Sequence, residues 1–224
     1  MHFSFNYSLL LQTLPNAIID TLIMTVSSAI LAVIIGLPIA VVLYSTARGS
    51  LMPNVIINRC LSAIVDAVRA IPFIILAFYL LPVTRSVVGS GTGIKSVIFI
   101  LTISAIPFYA RMAEMSFRNI DEGLIEAIRA MGASRFQIIC NVIIPESLAS
   151  LVTGVTVMVI AIISATSLAG YLGGGGLGDM AIRFGYQRYI PEVMTMVIIV
   201  LVALNIAVQW CGDRMANKLN HSNR

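Results

Sequence analysis

Charge is scarce in this chain. Only 11% of its 224 residues are Asp, Glu, Lys or Arg, against roughly 25% in a soluble domain, which excludes an ordinary water-solvated surface. Histidine is nearly absent: His2 and His221 sit near the termini. No serine, cysteine or carboxylate stands in a nucleophile-and-base arrangement, so no catalytic residue is assigned. The three cysteines, Cys60, Cys140 and Cys211, are far apart and odd in number. They suit neither a metal site nor a disulfide framework and read as small apolar fillers. No glycine-lysine phosphate loop occurs anywhere, which excludes ATP hydrolysis by that route and leaves no cofactor to assign. The run Gly173 to Gly178 has no strand before it and no lysine after it, and reads as a flexible turn. The net charge of +4 is too small to suggest a nucleic-acid partner.

What is there is apolar. Hydrophobic residues make up 58% of the chain and the mean hydropathy is +0.96, the composition of an integral membrane protein. The expected fold is all-α and polytopic, a single membrane domain over 1–224. Stretches without charge and about 20 residues long place five spans at about 21–45, 60–83, 95–112, 148–172 and 192–212. Gly36 and Pro38 in the first are tolerable where neighbouring helices satisfy a loosened backbone. Before it, FNYSLLLQTLPNAIID reads as a segment at the outer interface, with Pro15 in the first turn of the helix. It has no positively charged leading region, and the first apolar run exceeds a signal core of roughly 7 to 15 residues, so no cleaved signal is expected. Pro72 is expected to bend the second span. Lys95 and Arg111 flank the short third one and are expected to snorkel outward.

Basic residues give the orientation. Arg48 and Arg59 follow the first span, Arg111, Arg118, Arg129 and Arg135 lie in the long loop, and Arg214, Lys218 and Arg224 end the chain. Arg85, Lys95, Arg183 and Arg188 on the other side are the minority. The bias predicts the amino terminus outside and the carboxyl terminus in the cytoplasm.

The loop 113–146 is the one sizeable polar segment. Asn119 with Glu122 reads as a capping pair, after which Leu124, Ile125, Ile128 and Met131 fall on one helical face. Gly132 is a helix stop, Ser134 with Gln137 restarts a second short helix, and Pro145 precedes the fourth span. On pattern alone the loop is either a rigid knob for a partner or an amphipathic helix on the membrane surface. Asp66 and Arg69, three apart, read as a structural ion pair rather than a substrate contact. Ser164, Thr166 and Ser167 either hydrogen-bond across helices or line a path. With Gly154, Ala161, Ala165 and Ala169 allowing close approach, the fourth span is expected at a dimer centre. The eleven methionines read as packing.

Glu126, Ala127, Gly132 and Pro145, at those spacings, resemble the EAA loop of permease subunits of bacterial ATP-binding cassette importers. Ile128 departs from the usual alanine. RAIPFIILAFYLLPVTRSVVG, AIPFYARM, LIEAIRAMGAS, GGGGLG and QWCGDRMANK extend the resemblance to the methionine importer permeases, five-span members of the type I class. It implies a type I transmembrane domain over about 17–211 and a coupling loop carrying Leu124, Glu126, Ala127, Arg129, Ala130, Met131, Gly132, Ala133 and Pro145. It also implies a bacterial inner-membrane location, a second permease copy, two cytoplasmic ATPase subunits that supply hydrolysis, and an extracytoplasmic substrate-binding lipoprotein. The alternatives are an importer permease for another small solute and a self-sufficient secondary transporter. Intramembrane carboxylates or histidines would mark the latter, and the middles of the first, fourth and fifth spans lack them.

Overall fold

The computed structural model describes residues 7–219, with side chains from Gln12 onward except that of Ala169. His2, His221, Arg224 and the first residues of the expected interfacial stretch lie outside the described residues. No strand occurs among the described residues. A chain this apolar satisfies its backbone donors and acceptors within each segment, and a helix is the element that does so.

Helix α1 (Tyr7–Thr46) is continuous through both Pro15 and Pro38. The expected segment before the first span therefore does not turn off the helix axis, and Pro15 stands inside the helix rather than in its first turn. The stretch ahead of Pro15 propagates the helix past it. Gly36 is needed for space: a Cβ there would lie 3.0 Å from the Ile106 carbonyl oxygen, so the glycine sets how closely α1 approaches its neighbour.

The expected second span is two helices. Helix α2 (Val55–Ala70) and helix α3 (Phe73–Val88) meet at 109°. Ile71 precedes Pro72 and is extended (φ −80°, ψ 125°), because the proline ring clashes with a helical predecessor. Pro72 thus breaks the helix rather than bending it. Sixteen residues of α3 reach roughly 24 Å at 1.5 Å each, short of a hydrocarbon core of about 30 Å, so a crossing here needs both halves.

Helix α4 (Ile94–Arg118), helix α8 (Leu148–Thr166) and helix α10 (Pro191–Leu219) are, like α1, long and apolar enough to cross a membrane. Between α4 and α8 come α5 (Glu122–Ala130), α6 (Arg135–Ile138), a π-helical turn at Ile139–Ile143 and α7 (Ile144–Glu146). Between α8 and α10 come a 3₁₀ turn at Ala169–Leu172, α9 (Gly176–Met180) and a second π-helical turn at Ala181–Tyr186. Helices α1 and α4 run parallel, with Ser28 donating to the Ile98 carbonyl and Tyr44 edge-on to Phe117. Helix α8 runs back along them. Gly154 touches Met112 near one end of α4, and Ser167 meets Gly178 near the other. Four helices are thus long enough to cross singly and a fifth crossing is made if α2 and α3 together form one broken span, with α5 at one end of the bundle and the glycine run at the other.

The main core lies between α1 and α4. Met24, Ala32 and Ala40 pack there with Val97, Ile100, Leu101, Tyr109 and Phe117, all buried. Val26, Ile30 and Ile34, four apart on the other side of α1, are more than half exposed. An apolar helix exposed in this way has its outer face suited to lipid.

The glycine run is a packed wedge, not a flexible turn. Gly176, Leu177, Gly178 and Met180 are buried, and the Leu177 amide donates to Thr21 Oγ1 over 2.9 Å. A Cβ on Gly178 would come within 2.4 Å of Ser167 Cα, and one on Gly176 within 2.8 Å of Thr21 Oγ1. Glycine is required because three backbone segments meet there.

Candidate functional site

Helix α5 begins at Asp121, whose carboxylate accepts from the Gly123 amide at 2.8 Å. The expected Asn119–Glu122 pair does not form, since Asn119 caps the end of α4. Glu122 in the first turn and Arg129 in the last oppose the helix dipole with the favourable signs. The helix closes in a Schellman motif. The Gly132 amide donates to the Arg129 carbonyl at 3.0 Å and that of Ala133 to Ile128 at 3.4 Å. Gly132 has φ +86° and nothing within 4 Å of a built Cβ, so its backbone conformation, not crowding, calls for glycine. Ser134 and Gln137 form the full capping box. The second helix is not separate, however: α6 continues through the π-helical turn and α7 to α8, so Gly132 is the one sharp joint.

No residue of α5 is buried. Ile125 and Ile128 lean on the main core, while Leu124 is 37% exposed, Met131 78% and Phe136 74%. Glu126, Ala127, Arg129, Ala130 and Gly132 are exposed as well, and Ala133 is half-buried. The sequence-assigned residues of 124–133 thus form one short, uncovered surface. Pro145 is apart from it in the chain, exposed in α7 ahead of α8.

Behind this surface is a charge network that sequence reasoning missed. Arg111 does not snorkel. Its guanidinium bridges Glu114 and Asp66, each at 2.6 Å. The Glu114 side chain is 1% exposed, and its other oxygen accepts from Arg118 at 2.6 Å. The expected Asp66–Arg69 pair is present at 3.4 Å. The signal that would have found Glu114 is its placement three residues after Arg111 and four before Arg118, the helical spacing of facing charges. A cavity of about 610 Å³ separates α5 from the loop after α1, with Tyr44, Asn58, Arg118, Glu122 and Arg129 on its walls.

The proposed path residues are not brought to one surface. Ser164 is exposed, Ser167 partly so, and Thr166 is buried inside the fold. All three hydroxyls donate to carbonyls of their own helix, Ile160, Ile163 and Ser164 in turn, so none bonds across helices within the chain. Gly154 packs inward on Met112 and Ala165 on the core, while Ala161 is exposed; the side chain of Ala169 lies outside the described residues. Cys60 and Cys211 are exposed and Cys140 is partly buried, none of them paired. No cluster of three metal-ligating side chains occurs among the described residues.

Known proteins with the same features are close at hand. The family model of the binding-protein-dependent transport system inner membrane component matches residues 35–221. A probable D-methionine transport system permease protein MetI of Vibrio cholerae is 37% identical over 98% of this chain and 96% of its own length. The methionine import system permease protein MetP of Bacillus subtilis is 39% identical over 78% of this chain and 79% of its own. Among solved structures, an inward-facing conformation of the MetNI methionine ABC transporter superposes with TM-score 0.91 at 38% identity, covering 99% of this chain and all of the other. A second crystal form of that transporter gives TM-score 0.93 at 40% identity, covering 95% of this chain and 98% of the other. An all-helical chain of several apolar spans, matched in sequence and fold over nearly its whole length, belongs to the inner membrane permease components of binding-protein-dependent ABC transporters.

Proposed function

We propose that this chain is one of two identical permease subunits of an ATP-driven importer, that its cargo is methionine, and that α5 is the surface on which a partner ATPase acts. The observation that carries the ATPase assignment is α5 itself: a capped, glycine-terminated helix without one buried residue, joined at both ends to membrane spans. A helix of nine residues is marginal alone in water, and apolar Leu124 and Met131 gain from being covered. The chain has no phosphate loop, so hydrolysis belongs to the partner and this subunit is not an enzyme.

The end of the bundle bearing α5 also carries Arg48, Arg59, Arg118, Arg129, Arg135, Arg214 and Lys218, against Arg85, Lys95, Arg183 and Arg188 at the glycine end. That bias supports an α5 end in the cytoplasm and an amino terminus outside. Five passes are few to enclose a path, which supports a symmetric pair. The exposed face of α8 with Thr153, Val157, Ala161 and Ser164 is the side offered to the second copy or the path. Nucleotide closes two ATPase subunits, the α5 helices follow, and the attached spans open the path toward a substrate-binding lipoprotein; hydrolysis reverses the motion.

A self-sufficient secondary transporter needs a titratable group in the membrane, and Glu114 is a buried carboxylate. Both its oxygens are taken up by arginines, however, which commits it to an ion-pair network and leaves neither oxygen free for a coupling ion. Reconstitution in liposomes tests the proposal. Uptake of labelled L- or D-methionine is expected only with the ATPase, the binding protein and ATP together. Uptake by the chain alone would sink the importer reading, and ATP-dependent uptake of another solute in preference would sink the substrate.

A further inference from the structure

The network around Glu114 has no evident packing purpose. A buried charge and its partners are often no more stable than apolar side chains of similar volume, and here only Glu114 is fully buried, Arg111 and Arg118 being 18% and 56% exposed. What the charges add is geometry. Glu114 holds Arg118, the last residue of α4 and four positions before α5, and also Arg111, whose other nitrogen holds Asp66 on α2. Arg111, Glu114 and Arg118 all stand on α4, so the one pair that leaves it, Arg111–Asp66, ties α4, the helix that leads into α5, to α2, which α4 does not join in sequence. Helix α2 ends at the extended Ile71, where no continuous helix resists a change in its angle to α3. The cavity of about 610 Å³ beside Arg118 leaves α5 room to move.

We propose that Glu114 is a positioning residue that transmits displacement of α5 to α2, which pivots against α3 at Ile71 and Pro72. The proposal rests on the importer reading above and adds the route by which ATP-driven movement reaches the second crossing. Neutralising Glu114 releases Arg118 and one side of Arg111, and neutralising Asp66 removes the ion pair between α2 and α4. Neither change touches the exposed face of α5.

The test is the ratio of methionine transported to ATP hydrolysed in proteoliposomes containing the full complex. Glu114→Gln and Asp66→Asn are each expected to lower that ratio at least fivefold while the ATPase still copurifies. In parallel, spin labels at Ile56 and Asn119, both exposed and outside the 124–133 surface, are expected to change separation with nucleotide in the parent protein and to lose that change in both variants. Should Glu114→Gln fail to fold, the half-exposed Asp66 carries the same test. An unchanged ratio and an unchanged label response in a folded variant overturn the proposal alone. Failure of the parent complex to couple uptake to ATP overturns the importer reading and this proposal with it.

Discussion

The two ends of the bundle use glycine for opposite reasons. At the Gly173–Gly178 end, glycines let α9 lie on the backbone at the end of α8 and against Thr21 and Met24 of α1, and a single added methyl at Gly178 would sit 2.4 Å from Ser167 Cα. At the α5 end, Gly132 has open space around it and is needed only for its φ of +86°. One end is closed by packing, while the other is shaped and left bare. Under the proposed function, the bare end is the one that a partner covers. A tight Schellman turn and a full capping box are not needed to hold an ornamental loop.

The largest expected effect breaks the packed end. Gly178→Ala must displace the Ser167 and Thr166 backbone, which no side-chain rotation relieves. Overpacking of that kind costs about 3 kcal/mol. The variant is expected to lose most of its folded yield in detergent, read by monodisperse recovery and thermal midpoint. A variant as stable as the parent would show that the wedge is soft, and the contrast between the two ends would fail.

Next comes the bare end. Leu124→Asp combined with Met131→Asp places charge on the uncovered face and removes no fully buried side chain. The thermal midpoint of the chain alone is expected to stay within about 0.5 kcal/mol of the parent, the usual range for surface changes. Association with the ATPase is expected to weaken roughly 30-fold, about 2 kcal/mol, as for loss of apolar interface anchors. Copurification and a binding isotherm check both halves. Undiminished association would remove α5 from the interface.

Much of this was legible in the sequence because the bilayer imposes a coarse rule, and residue details follow finer ones. Uncharged stretches of about 20 residues located the helices that became α1, α4, α8 and α10. Gly132 and the Ser134–Gln137 box could be read because caps are local chemistry. The break at Ile71 was underestimated because a proline inside an apolar run is compatible with either a bend or a break. In α1, by contrast, Pro15 and Pro38 interrupt nothing. The glycine wedge was misread as flexible, since the backbones that crowd Gly178 come from distant parts of the chain. Arg111 was assigned to the membrane edge for the same reason. Asp66, its partner, is 45 residues away, and no local pattern joins them.

A smaller effect separates the two uses of glycine directly. Gly132→Ala meets no atom, so its cost is that of placing an L-residue in the left-handed region, about 1 kcal/mol. The fold as a whole is expected to survive, whereas the α5 terminus frays, seen as faster amide exchange over 128–134. Slow exchange there in the variant would mean that the turn is held by contacts beyond its own backbone.

The smallest expected effect tests whether α5 and the segment after it act as one rigid piece. Ser134→Ala removes the acceptor for the Gln137 amide, a bond of 3.3 Å, and unpairs half of the box whose other half is the 2.8 Å bond from the Ser134 amide to Gln137. Loss of such a cap costs about 1 kcal/mol, and here the cost falls on a four-residue helix that leads through Ile138, Ile139 and Ile143, all buried, toward α8. Because those three isoleucines anchor the segment from below, the loosening is expected to stay above them. Exchange should quicken at 134–137, remain unchanged from 138 onward, and transport should fall by no more than about twofold. A larger loss of transport with the same local loosening would mean that the Ser134 turn itself carries force between α5 and α8.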